Sequence, residues 1–239
     1  MVPLLQLQGV SKSFGQVVVA DDLSYDLEPG EVLGVVGPNG AGKTSMLNLI
    51  SGNLMPDRGR ILLDGRDVTD LPAHARARAG IGRTFQIPRP FGGMSVFENV
   101  LVGASRAEPS QRLGRSVEAL ERAGLLDQAN TVAGSLTLLD RKRLDLARAL
   151  AGRPRLLLLD EIAGGLTEAE VQLLMGTIRG LKSEGLGIVW IEHIVQALVS
   201  VVDRMMATNY GRKLVEGDPR TVMASPEVRS VYLGHSVTG

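Results

Sequence analysis

The residues Gly37-Pro38-Asn39-Gly40-Ala41-Gly42-Lys43-Thr44 have the spacing GxxxxGK[ST], which suits the holding of a polyphosphate. Glycines at 37, 40 and 42 let the backbone bend until its N–H groups cradle phosphate oxygens, and the Lys43 ammonium reaches toward the β- and γ-phosphates. The Thr44 hydroxyl is placed to bind Mg²⁺. The expected phosphate contacts run from Gly37 to Ser45, with Pro38, Asn39 and Ala41 included. Far along the chain stands a second group, the adjacent carboxylates Asp160 and Glu161. Asp160 is expected to hold Mg²⁺ directly or through water, and Glu161 to polarise the water that attacks the γ-phosphate.

Such groups work only if rigid elements hold them. Val32-Leu33-Gly34-Val35-Val36 reads as a buried strand before the loop, and Ser45 to Ile50 as a helix whose positive N-terminal end faces the phosphates. Leu156 to Asp160 reads as another buried strand, and it delivers the carboxylates at the C-terminal edge, where α/β sheets place ligand chemistry. Between and around these lie strand-like stretches at Leu4 to Val10, Gln16 to Ala20, Arg60 to Leu63, Gly80 to Phe85 and Gly187 to Ile191. Helical patterns occupy Pro72 to Ala79, Arg115 to Ala123, Arg141 to Ala151 and Glu168 to Ser183. Short strands and a terminal helix ending at Val231-Tyr232-Leu233-Gly234 complete the pattern. Alternation of strand and helix around the loop implies a parallel α/β core with a β-rich edge and an inserted helical lobe.

Composition narrows the function classes. The 26 basic and 26 acidic side chains cancel, so no global charge points to nucleic acid, and none is expected as a partner. With no cysteine, disulfides, thiolate metal sites and cysteine nucleophiles are excluded together. His74, His193 and His235 are too scattered for a histidine metal cluster. No run approaches the roughly 20 apolar residues of a spanning helix, and the N-terminus lacks the pattern of a signal peptide. A cytoplasmic location is expected, with any membrane contact peripheral.

Taken together, these motifs and their order resemble the ATP-binding subunits of ABC (ATP-binding cassette) transporters over about Leu4 to Gly234. The resemblance implies a P-loop NTPase fold of the ABC type: a RecA-like parallel-sheet core with an antiparallel β subdomain and an inserted helical subdomain. It implies one cassette over 1–239, with 1–86 and 152–239 forming core and β subdomain and 87–151 the helical part. It implies ATP and Mg²⁺ as cofactors. By motif position, Gln86 becomes the glutamine that senses Mg²⁺ and the attacking water, His193 the switch histidine at the γ-phosphate, and Phe14 the aromatic that stacks on adenine. Ile81-Gly82-Arg83-Thr84-Phe85-Gln86, Met94 to Val100 and the stretch from Pro226 to Gly234 are similar to the branch that imports branched-chain amino acids and related amides. The implied partners are integral-membrane permease subunits and a second ABC ATPase subunit, a heterodimer being favoured over a homodimer, with the chain held peripherally on the inner face of the cell membrane. The apolar residues Ile87, Pro88, Pro90 and Phe91 suit either a permease-docking surface or core.

The pattern also departs from the family. Where a Leu-Ser-Gly-Gly-Gln signature is expected before a basic helix, the chain has Leu136-Thr137-Leu138-Leu139-Asp140. Thr137 keeps a hydroxyl for a partner's nucleotide, whereas two leucines replace glycines that permit close backbone approach, and Asp140 adds negative charge near an anion. Ile162 follows Glu161 where proline is usual. An asymmetric pair of composite sites is therefore expected. The competing readings are a soluble ABC ATPase and a nucleotide-binding regulatory subunit with little hydrolysis of its own.

Overall fold

The computed structural model describes residues 2–233, so Gly234, at the end of the expected terminal helix, and His235 lie outside the described residues. Two sheets organise the chain. An antiparallel sheet is formed by β1 (Leu5–Phe14), β2 (Val17–Leu27), β4 (Arg58–Leu63) and the short β5 (Arg66–Asp67), in the order β2-β1-β4-β5. The second sheet has six strands, β3 (Val32–Val36), β6 (Ile81–Arg83), β7 (Leu156–Asp160), β8 (Gly187–Ile191), β9 (Arg204–Asn209) and β10 (Arg212–Gly217), in the order β10-β9-β3-β8-β7-β6. Within this sheet, among the described residues, only the β9–β10 pair is antiparallel. The fold is thus the P-loop ABC ATPase architecture that the sequence implies.

Strands β3, β7 and β8 are unbroken apolar runs because both faces of their sheet are covered. Leu33, Val35, Leu156, Leu158, Val189 and Ile191 pack with the antiparallel sheet and with Met46, Leu47, Leu49 and Ile50 of α1 (Lys43–Ser51). The alternate residues Val32, Val36, Leu157, Leu159, Ile188 and Trp190 face a second core. That core is shared with α3 (Val96–Gly103), α4 (Pro109–Ala123), α5 (Leu138–Ala151) and α6 (Glu168–Ser183). The short α2 (Ala73–Arg78) carries the fully buried Arg76, whose guanidinium donates to the carbonyls of Leu49 (2.5 Å) and Ile50 (3.0 Å) and so satisfies the C-terminal end of α1. Three further helices are α7 (Val195–Val199), α8 (Pro219–Ala224) and α9 (Pro226–Leu233).

The expected strand from Gly80 to Phe85 is shorter in the structure, and the reason bears on the site. Thr84 still donates its N–H to Leu158 at 2.9 Å, but the Phe85 N–H leaves the sheet for the Asp145 carboxylate on α5 at 2.8 Å. Gln86 is thereby turned out over the end of β7. Parallel order then sets the rest: the phosphate loop follows β3, Glu192 and His193 follow β8, the carboxylates end β7, and Gln86 follows β6. Four adjacent strands deliver these groups to one edge of the sheet.

Candidate nucleotide-binding and hydrolysis site

Between β3 and α1 the chain turns through Gly40 (φ 81°) and Gly42 (φ 92°), both in the left-handed region that side chains disfavour. A Cβ on Gly42 would stand 2.2 Å from the Val19 carbonyl oxygen, and one on Gly37 2.3 Å from that of Thr208. The loop is tied from outside by the Gly211 N–H, which donates to the Ala41 carbonyl at 3.0 Å. No side chain caps α1 and no acidic residue occupies its first turn, so the positive end of the helix is left for an anion. Asn39, Gly40 and Thr44 are exposed at the mouth, with Pro38 and Ser45 half-buried. Gly42→Ala is expected to weaken binding of a fluorescent ATP analogue. Strain of about 1–3 kcal/mol corresponds to about 5- to 150-fold in affinity. An unchanged dissociation constant in equilibrium titration would show that the loop does not depend on this backbone conformation.

Lys43 is buried, and its ammonium donates to the carbonyls of Gly37 (2.6 Å) and Pro38 (3.0 Å), arching across the loop it belongs to. Burial pushes its pKa below the ordinary lysine value, while the carboxylates of Glu161 and Asp160 pull it back up. The Thr44 hydroxyl lies 3.5 Å from Asp160 Oδ1, and Asp160 Oδ2 accepts from the Arg83 guanidinium at 3.2 Å. Burial raises the Asp160 pKa, against the pull of Arg83. A hydroxyl and a carboxylate are hard oxygen donors that suit Mg²⁺, an ion that completes its shell with water and substrate phosphate. Among the described residues no three His, Cys, Asp or Glu side chains cluster as a metal site.

Glu161 is the centre of the arrangement. Gln86 Nε2 donates to its Oε2 at 2.6 Å, and His193 Nε2 is 2.6 Å from its Oε1. Glu161 itself has φ 48°, an uncommon conformation for a residue with a side chain. Three bonds hold this turn: the Glu161 N–H donates to the Ile191 carbonyl (2.9 Å), Lys142 Nζ to the Glu161 carbonyl (3.3 Å), and the Ala163 N–H to the buried Glu192 carboxylate (2.6 Å). Burial raises the Glu192 pKa, with its backbone donors acting in the other direction.

The family model described as ABC transporter matches residues 20–164. The chain belongs to the ABC transporter family. It is an ABC ATPase cassette, 39% identical over 95% of its length to a probable ABC transporter ATP-binding protein of Azorhizobium caulinodans, 81% of which is covered. It is 39% identical to the lipopolysaccharide export system ATP-binding protein LptB of Acidithiobacillus ferridurans, with 98% of each chain covered. To the high-affinity branched-chain amino acid transport ATP-binding protein LivG of Escherichia coli it is 35% identical over 98% of the chain and 99% of that protein. Among solved structures, the ADP conformation of MJ1267, an ATP-binding cassette of an ABC transporter, superposes with a TM-score of 0.89 at 27% identity, covering 98% of this chain and all of the other.

In the cassette, Phe14 ends β1 with 55% of its surface exposed and Lys12 Nζ 5.5 Å from its ring centroid. It pairs with Val17 at the hairpin whose second strand meets Gly42 through Val19. Thr137 caps α5: its hydroxyl oxygen accepts the Asp140 N–H (3.2 Å) and its O–H donates to the Asp140 carboxylate (2.8 Å). Of the two leucines that follow, Leu138 is exposed and Leu139 is buried in the helical core, so only the first faces outward. Sequence reasoning gave no role to Arg83, Lys142, Asp145 or Glu192, four buried or nearly buried charged side chains that hold this edge together. Lys142 did carry a signal, since it stands three and four residues from Leu139 and Leu146 on the buried face of α5.

Proposed function

We propose that this cassette binds Mg²⁺–ATP between its phosphate loop and the signature segment of a second cassette, hydrolyses it with Glu161 as the base, and drives a membrane permease. The observation that carries the reading is the Glu161 carboxylate, gripped by Gln86 and His193 beside Lys43, Thr44 and Asp160. In this reading Gln86 and His193 orient Glu161 and the attacking water, Thr44, Asp160 and Gln86 hold the metal, Phe14 stacks on adenine, and Thr137 faces the partner's nucleotide. Asp160 and Thr44 would hold Mg²⁺, which would neutralise charge that develops on the phosphates.

Docking to a permease is supported by the surface between core and helical segment. A groove of about 440 Å³ runs beside a second of about 550 Å³, and Arg83, Phe85, Asp145 and Arg148 line both. Phe85 and Ile87 are exposed along it, and Phe91, also exposed, lies under the Arg148 guanidinium, as an interface requires and a core does not. The segment 87–151 acts here as a helical subdomain between the nucleotide and the membrane partner. No helix among the described residues is long and apolar enough to cross a membrane, so attachment to the inner face of the cell membrane would run through the permease.

For the solute, the relatives named for branched-chain amino acid transport and the Ile81 to Gln86 motif favour import of branched-chain amino acids or related amides. The LptB relative favours a second reading, service to a lipopolysaccharide exporter. Co-purification from the native membrane separates them. The expected catch is an amino-acid permease with a second cassette; an export permease would replace the first reading, and a homodimer with no membrane protein would sink both.

A further inference from the structure

We propose that Arg83 is a positioning residue for the ATPase reaction, holding the Asp160 carboxylate by one oxygen so that the other faces the Thr44 hydroxyl and the metal of a bound nucleotide. The proposal rests on the assignment of Thr44 and Asp160 as metal donors. Its basis is the way one guanidinium joins three elements. Arg83 ends edge strand β6, and only 8% of its side chain is exposed. One terminal nitrogen donates to Asp160 Oδ2 at 3.2 Å; the other donates to Asn48 Oδ1 at 2.7 Å and Ser51 Oγ at 2.9 Å.

Asn48 and Ser51 follow Thr44 at four and seven residues along α1, so all three share one face of that helix. The face carries the metal hydroxyl in its first turn and the two Arg83 acceptors below it. Arg83 therefore fixes the distance between α1, which bears Thr44, and β7, which bears Asp160. Without it, Asp160 loses the guanidinium that selects which of its oxygens turns to Thr44. Stability alone is a poor reason for the arrangement: a buried ion pair gains little over apolar packing, and Arg83 Nε is buried with no acceptor among the described residues.

The test uses the full-length chain and Mn²⁺ as the metal probe. Binding of Mn²⁺ to the ADP-loaded protein is read by electron paramagnetic resonance, and affinity for a fluorescent ATP analogue is read in parallel in EDTA. Arg83→Met should weaken Mn²⁺ binding about tenfold, the lower end of the effect of groups that orient a metal ligand. Metal-free nucleotide affinity should stay within about a factor of two, since the phosphate loop is untouched. Arg83→Lys, which keeps the charge and loses the fork, should recover part of the loss. Asn48→Ala removes a single acceptor and should give a smaller loss in the same direction; it decides the matter if Arg83→Met does not fold. Wild-type Mn²⁺ affinity in either folded variant would overturn the proposal, as would an equal loss in EDTA, which would assign Arg83 to the pocket at large. A wild-type chain that binds nucleotide but no Mn²⁺ would overturn the metal assignment and the proposal with it.

Discussion

Glu161→Gln is expected to lower ATP turnover by about 10²–10⁴-fold, the span associated with loss of a general base, while nucleotide affinity stays near wild type. The substitution keeps size and shape and removes the group able to take a proton from the attacking water. Its surroundings make the comparison clean. Gln86 Nε2 and His193 Nε2 approach the two carboxylate oxygens from the ends of β6 and β8, the strands on either side of β7, and an amide can still meet one of them. The backbone turn at φ 48° is held by Ile191, Lys142 and Glu192 through main-chain bonds that the side chain does not enter. The melting temperature should therefore move little. Single-turnover hydrolysis in the assembled complex is the measurement. Product formation at the wild-type rate would remove Glu161 as the base and leave the regulatory, binding-only reading ahead.

How much of this site could be read from the chain depends on where each residue's chemistry comes from. The positions of the phosphate loop, Asp160 and Glu161 are legible because each stands at the end of an apolar strand, whereas His193 was placed by motif order. What the chain does not state locally is that β8 pairs between β3 and β7, which is what brings His193 to Glu161 across 32 positions of sequence. Arg83 and Glu192 were illegible for a related reason: a charged side chain reads as solvated until its distant partners are known. Helix α3 is a different case. Ser95 and Glu98 form a capping box, with Ser95 Oγ accepting from Glu98 N–H at 3.1 Å and Glu98 Oε2 from Ser95 N–H at 2.7 Å. Val96 to Gly103 is nevertheless apolar on nearly every side, so no amphipathic period marks it, and buried Asn99 is spent on the Phe91 backbone.

The signature segment yields the other large effect, and the structure changes which substitution tests it. Both leucines stand where glycines are expected, but Leu139 belongs to the helical core. Its removal would cost about 3 kcal/mol or more in lost packing and helix propensity, blurring any gain. Leu138 stands exposed at the first position of α5, immediately after the Thr137 cap, with its Cδ2 3.2 Å from where a Cβ on Gly165 would lie. It is the side chain positioned to keep a partner's phosphate off the N–H groups that open α5. Asp140, bonded to Thr137 and 3.7 Å from Arg143, keeps a carboxylate at the same helix end. Leu138→Gly combined with Asp140→Gln should therefore open that end to an anion, and turnover at the composite site it serves should rise by up to about 10²-fold, the value of one well-aimed backbone donor. The measurement is ATPase activity of the assembled complex with the partner cassette's own base changed to glutamine or left intact, so that each composite site is read separately. If both sites already turn over equally before the change, or neither gains after it, the variant signature is harmless and the asymmetric dimer is wrong.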